Sequence, residues 1–110
     1  MGMFGGGVYF ADRTTKSARY SGTQRPGQSG QLLLCRVTLG NPLLLYTLRQ
    51  NLRRPPDPSP LWPSQLHLWL KGGKYHSIFA PASPLLVMNE YIVYHTNQAY
   101  PEYLVDYTLV

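Results

Sequence analysis

Apolar and polar positions alternate most regularly between Gln31 and Leu39. Leu33, Cys35, Val37 and Leu39 fall on one face of an extended chain, and Leu32, Leu34, Arg36 and Thr38 fall on the other. Both faces are rich in apolar side chains, so this strand is expected to be largely buried on both, and Gly40-Asn41-Pro42 ends it. Val87 to His95 alternates again and carries Glu90, the only acid between Asp57 and Glu102. Tyr103, Val105, Tyr107 and Leu109 form the apolar face of a last strand that Pro101 is expected only to precede. Near the start, Gly2, Gly5, Gly6 and Gly7 imply close backbone approach, and Val8-Tyr9-Phe10 is a short β-type run. From Asp12 to Tyr20 the residues suit a helix, with Asp12 or Thr14 as cap and Gly22 as stop. Lys16, Ser17 and Tyr20 then share one helical face.

Between these elements lie a polar loop, Ser21 to Gly30, and a segment in which five of the ten prolines fall between Pro55 and Pro63. That proline-rich stretch is expected to be an extended surface loop with little regular structure, and Gly72-Gly73 to be a turn. No internal repeat is visible. The pattern predicts an α+β fold, mainly antiparallel sheet with one short helix.

Composition narrows this picture. A chain of 110 residues is one small domain, and its 44% apolar and 13% aromatic content argues for a packed core over disorder. Ten glycines and ten prolines are too many for a helical bundle. The single cysteine, Cys35, cannot form an internal disulfide, and nothing near Met1 resembles a secretory leader, so an intracellular location, nuclear or cytoplasmic, is expected. No apolar run approaches the roughly 20 residues of a membrane span, and no membrane partner is expected. The net charge of +5 is scattered, with only Arg53 and Arg54 adjacent. Scattered charge is a weak nucleic-acid signal, but it suits a phosphate-bearing ligand such as a dinucleotide.

Candidate chemistry is sparse. No Gly-x-Gly-x-x-Gly opens a helix, and Gly73-Lys74 is followed by Tyr75, so neither a Rossmann nor a P-loop phosphate site is supported. His67, His76 and His95 lack ligand spacing, which points to structural or surface roles and no metal. Cys35, on an apolar strand face, is expected to be a buried, inert thiol. Glu90 stands out, because a carboxylate inside an apolar strand is costly unless it faces a cleft or finds a partner. Its bland alternative is an edge-strand carboxylate in water.

Five blocks then combine: Gly2 to Asp12; Lys16-Ser17-Ala18 with Tyr20; Leu34 to Gly40; Asn89-Glu90-Tyr91-Ile92-Val93-Tyr94; and Gln98 to Leu104. Together, and in this order, they resemble the catalytic domain of the poly(ADP-ribose) polymerase family. The resemblance implies a diphtheria-toxin-like ADP-ribosyltransferase that uses NAD, releases nicotinamide and passes ADP-ribose to protein acceptors. It implies that Tyr9 and Tyr20 sandwich the nicotinamide ring and that Ser17 hydrogen-bonds its carboxamide, with Lys16 beside the site. Glu90 takes the position of the catalytic glutamate, which holds the ribose 2′-hydroxyl and stabilises an oxocarbenium-like transition state. Gly72 to Ser77 matches a family loop loosely, a plain turn being the alternative.

The departures are equally specific. In the family the Gly-Met-Phe-Gly run is internal, and the half before it supplies a His-Gly pair that grips NAD. All three histidines here follow the tyrosine block, so none is that histidine. The tankyrase branch has a zinc cluster between the second tyrosine and the next strand, whereas Ser21 to Gly30 has no Cys or His, and no zinc is expected. The stretch from Arg49 to Leu70 matches nothing in the family and is expected to be a loop insertion. Residues 1–110 are thus expected to be the C-terminal half of such a domain, inactive as they stand. Strand partners for Val8–Phe10, Gln31–Leu39 and Val87–Tyr94 are expected to lie outside the chain. The rival readings are a non-catalytic module that keeps this fold for binding, and a basic nucleic-acid-binding domain.

Overall fold

The computed structural model describes all residues except 1–2, 21, 23–24, 48, 84–85 and 87, together with the backbone but not the side chains of Arg19 and Tyr20. In chain order the elements are β1 (Val8–Phe10), α1 (Thr14–Tyr20), β2 (Ser29–Val37), β3 (Pro42–Leu44), α2 (Pro63–Leu70), β4 (Ser77–Ala80), β5 (Glu90–Val93) and β6 (Ala99–Thr108), with a 3-10 turn at Thr96–Gln98 before β6. The fold is α+β and mainly antiparallel. Four strands form one sheet in the order β1-β5-β4-β3, in which only β3 and β4 run parallel; β2 and β6 form a separate two-stranded antiparallel ribbon.

The sheet owes its register to small residues and buried apolar ones. Tyr9 faces Ile92 and Ile92 faces Ile78, so period-2 alternation puts all three on one face. Phe4, Leu43, Leu45, Ile78, Ala80 and Ile92 form the core there. The glycine run lets the chain wrap that face. Gly5, at φ +84°, lies so close to Leu52 that a Cβ would meet the Leu52 carbonyl, and Gly6 donates to that carbonyl at 2.9 Å. A Cβ at Gly7 would collide with Ile92. On the opposite face Phe79 stacks on Tyr91 with ring centroids 4.9 Å apart.

Several expectations are corrected. The segment Val8–Phe10 pairs with β5, and β5 is shared between β1 and β4, so these strands find partners inside the chain. The strand expected over Val87–His95 is ordered as Glu90–Val93, and Val87 is outside the described residues. Pro101 sits within β6: pairing steps from Leu34–Tyr103 to Cys35–Pro101, leaving Glu102 as the extra residue of a bulge, and a proline is tolerated where the ladder is already interrupted. The proline-rich stretch has no regular element before its last residue, as expected; a second helix, α2, starts there, with Pro63 in its first turn, where a missing N–H costs nothing. The turn expected at Gly72-Gly73 is present and ends α2, with Gly72 at φ +66° and the two N–H groups donating to the Trp69 and Leu68 carbonyls.

The largest correction concerns β2. Its alternation is as expected, but its faces are not buried: Leu33 is 61% and Leu34 56% exposed, and Cys35 is half-buried. The ribbon joins the sheet through Gln98, whose side-chain amide donates to the carbonyls of Thr38 (3.1 Å) and His76 (2.8 Å). Ser77, fully buried, donates its hydroxyl to Leu39 at 2.8 Å. Among the described residues, no helix is long and apolar enough to cross a membrane.

Candidate active site

Glu90 opens β5 on the core face, opposite Ala80 and two residues before Ile92, which explains its 3% exposure. A bare carboxylate there would be strongly disfavoured. Lys16 answers it from α1: its Nζ lies 2.8 Å from Glu90 Oε1 and donates to the Met88 carbonyl at 3.3 Å. The lysine expected merely beside the site is therefore bonded to the carboxylate. Glu90 Oε2 is different, being buried with no hydrogen-bond partner among the described residues. An orphaned buried acceptor costs on the order of 1–3 kcal/mol, and such atoms in native proteins call for a functional or ligand-based reason.

The residues flanking Glu90 are tied down by a third side chain. Asp12 Oδ2 accepts from Asn89 Nδ2 and from the Tyr91 hydroxyl, both at 3.0 Å, while Asn89 Oδ1 accepts from the Ala82 N–H at 2.7 Å. The Asn89 bond, helped by Tyr91, holds the Asp12 carboxyl below its ordinary value. Burial and the Asp12 charge push the Tyr91 phenol up. The turn between β1 and α1 is thereby fixed to both neighbours of Glu90. Sequence reasoning passed over this link, although Asn89 and Tyr91 sit in the quoted Glu90 block; side-chain partners 77 and 79 positions apart leave no periodic trace.

Tyr9 and Ser17 border a cleft of about 440 Å³ between the Phe10–Tyr91 face, α1 and β2. Tyr9 also packs against the core, and its hydroxyl donates to Gly5 O and accepts from Phe4 N, both at 2.8 Å, so the glycine run locks the ring. Cys35 borders the same cleft, which corrects the expectation of a buried thiol. A second hollow of about 380 Å³, bordered by Asp12, Thr14, Ser17 and Val105 among others, shares Ser17 and Leu32 to Leu34 with the first. Glu90 does not border the cleft; the connection runs through consecutive residues of α1, Lys16 to the carboxylate and Ser17 to the cleft. The Tyr20 ring, expected opposite Tyr9, lies outside the described residues.

Two of the three histidines have structural partners: His76 Nδ1 accepts the Asn41 N–H at 3.0 Å, and His95 and Gln98 form a reciprocal cap on the 3-10 turn. Among the described residues no group of three or more potential metal-ligating side chains comes together.

Residues 1–59, more than half of the chain, match the family described as Poly(ADP-ribose) polymerase catalytic domain. Poly [ADP-ribose] polymerase 2 of Homo sapiens is 36% identical over 117 aligned positions, covering 93% of this chain and 20% of the human protein. Poly [ADP-ribose] polymerase 1 of Oryza sativa subsp. japonica is 34% identical, with 93% and 12% covered; poly [ADP-ribose] polymerase 2 of Arabidopsis thaliana is also 34% identical, with 94% and 18% covered. The chain thus spans a fifth or less of the length of these relatives. By the family match and by these relatives, it belongs to the poly(ADP-ribose) polymerase catalytic-domain family.

Proposed function

We propose that residues 1–110 are the C-terminal part of an NAD-dependent ADP-ribosyltransferase domain, with residues 49–70 as an insertion, and that Glu90 is its catalytic residue. The observation that carries this reading is the division of labour on one carboxylate. Oε1 is held by Lys16, and Oε2 is buried with no hydrogen-bond partner among the described residues, the partner that a ligand hydroxyl would supply. NAD supplies a good leaving group, nicotinamide, on an anomeric carbon that becomes positively charged as the bond breaks. Glu90 then has three tasks: accepting a hydrogen bond from a ribose hydroxyl at Oε2, stabilising the positive charge with its own, and taking the proton of an acceptor hydroxyl. Lys16 is a positioning residue, since its ion pair at 2.8 Å fixes the rotamer of the carboxylate. Tyr9 and Tyr20 serve as the aromatic faces for the nicotinamide ring and Ser17 as the donor to its carboxamide. Acceptors are proteins inside the cell.

The test joins this chain to the upstream half of a relative's catalytic domain and measures nicotinamide release and transfer. Glu90→Gln should lower transfer by about a hundredfold or more while leaving NAD affinity close to unchanged, because an amide keeps the hydrogen bond but neither the charge nor the base. Transfer at the unsubstituted rate would make Glu90 structural. If benzamide binds and no variant turns over, the chain is a binding module.

A further inference from the structure

Helix α2 belongs to the segment, residues 49–70, that the sequence suggests is a loop insertion, and its apolar surface faces the wrong way for a globular protein. None of its residues is buried. Its contacts are local: Leu68 packs against Gly73 of the helix's own C-terminal stop, and Gln65 accepts the Ser59 N–H at 2.9 Å. Leu66, Trp69 and Leu70 of α2, at i, i+3 and i+4, are exposed at 39%, 46% and 67%, and Trp62, the extended residue that precedes the helix, adds a fourth exposed apolar side chain at 61%. An outward stripe with two tryptophans has no function in the core and needs an occupant.

Charge selects it. Residues 49–74 hold five cations, Arg49, Arg53, Arg54, Lys71 and Lys74, against one acid, Asp57. Asp57 gathers two of them, Arg54 at 3.0 Å and Lys74 at 3.3 Å, so the chain before α2 and the chain after it meet at a net positive cluster, and Lys71 caps the helix directly after Leu70. A second copy docked on this face would bring like charges together. We propose that the α2 face is a peripheral attachment surface for anionic lipid, with the tryptophans at the headgroup boundary and the flanking cations on the headgroups. A bilayer accepts a convex stripe without a matching groove, and α2 itself carries no acid to oppose it. This is attachment to a surface, not a span, and it departs from the expectation of no membrane partner, which rested on run length alone. It stands independently of the catalytic reading.

The chain contains two tryptophans, both on this stripe, so their fluorescence reports on this face and not on the exposed ribbon. The experiment mixes the 110-residue chain with vesicles of phosphatidylcholine alone, or of phosphatidylcholine and phosphatidylserine at roughly two to one. The expected result is a blue shift of tryptophan emission and co-sedimentation at least about tenfold stronger with the anionic vesicles. Leu66→Ser with Leu70→Ser should abolish both. Should that variant lose α2 by circular dichroism, Arg53→Glu with Lys71→Glu leaves the apolar face in place and should still weaken binding about tenfold. Four outcomes overturn the proposal. Equal binding to neutral and anionic vesicles removes the charge argument, and sedimentation without a tryptophan shift assigns adsorption to the ribbon. A shift that grows with protein concentration in the absence of lipid assigns the face to a second copy. No response to either vesicle leaves the face to the groove of an acidic protein.

Discussion

The four-stranded sheet and the β2–β6 ribbon are written in similar apolar residues but occupy different environments. In the sheet, Ile78 and Ile92 are fully buried because Phe4, Leu45 and Leu52 pack over one face. In the ribbon, Leu33, Leu34, Tyr103 and Leu104 are each more than half exposed although both strands are longer than any strand of the sheet. Their ion pairs differ in the same way. Lys16–Glu90 spans 2.8 Å with side chains 12% and 5% exposed; Arg36–Glu102 spans 2.6 Å with side chains 77% and 28% exposed. Strand length and contact distance are therefore poor guides to stabilisation. What separates the two regions is whether other elements exclude water.

Because water is excluded from one region and not from the other, equivalent substitutions must cost unequal amounts. Ile92→Ala should destabilise by about 3–4 kcal/mol, from lost burial plus the cavity left behind, whereas Leu34→Ala should change stability by less than about 0.5 kcal/mol. Denaturant midpoints at constant m-value would measure both, and equal costs would mean that the ribbon is covered in solution. Removing Lys16 (Lys16→Met) leaves Glu90 buried without its cation and should cost about 3 kcal/mol. Arg36→Ala breaks an exposed pair and should cost no more than about 1 kcal/mol.

A two-stranded ribbon with apolar groups on both faces and open edges is marginal alone and prone to associate. The chain is expected to self-associate, and Leu34→Lys with Leu104→Lys should shift it toward monomer in sedimentation velocity with little change in the sheet. A monomeric, cooperatively melting wild-type chain would break this prediction. The smallest effect concerns pH. Asp12 titrates below its ordinary value of 3.8 when folded, so its bonds to Asn89 and Tyr91 add stability above that pH and lose it as the pH falls through the folded value. Asp12→Asn should flatten the acid limb of the stability curve below about pH 4 by lowering stability modestly at neutral pH while leaving it nearly unchanged at the acid end.

Local chain properties made much of this protein legible in its sequence. Alternation located β2, the glycine run announced a close backbone approach that Gly5 makes against Leu52, and a lone acid in an apolar strand marked Glu90. These signals survive in sequence because they depend on periodicity, on the absence of a Cβ, or on the cost of burying a charge, each a property of a few neighbouring residues. Tertiary structure decided the rest. Lys16 reaches Glu90 across 74 positions, Asp12 binds both neighbours of Glu90 from the far end of the chain, and Pro101 is accommodated by a bulge set by its partner strand. The exposure of Leu33 and Leu34 follows the same logic. An apolar pattern states which side chains can be buried, but burial itself requires another element to be present, and that element is not encoded in the strand.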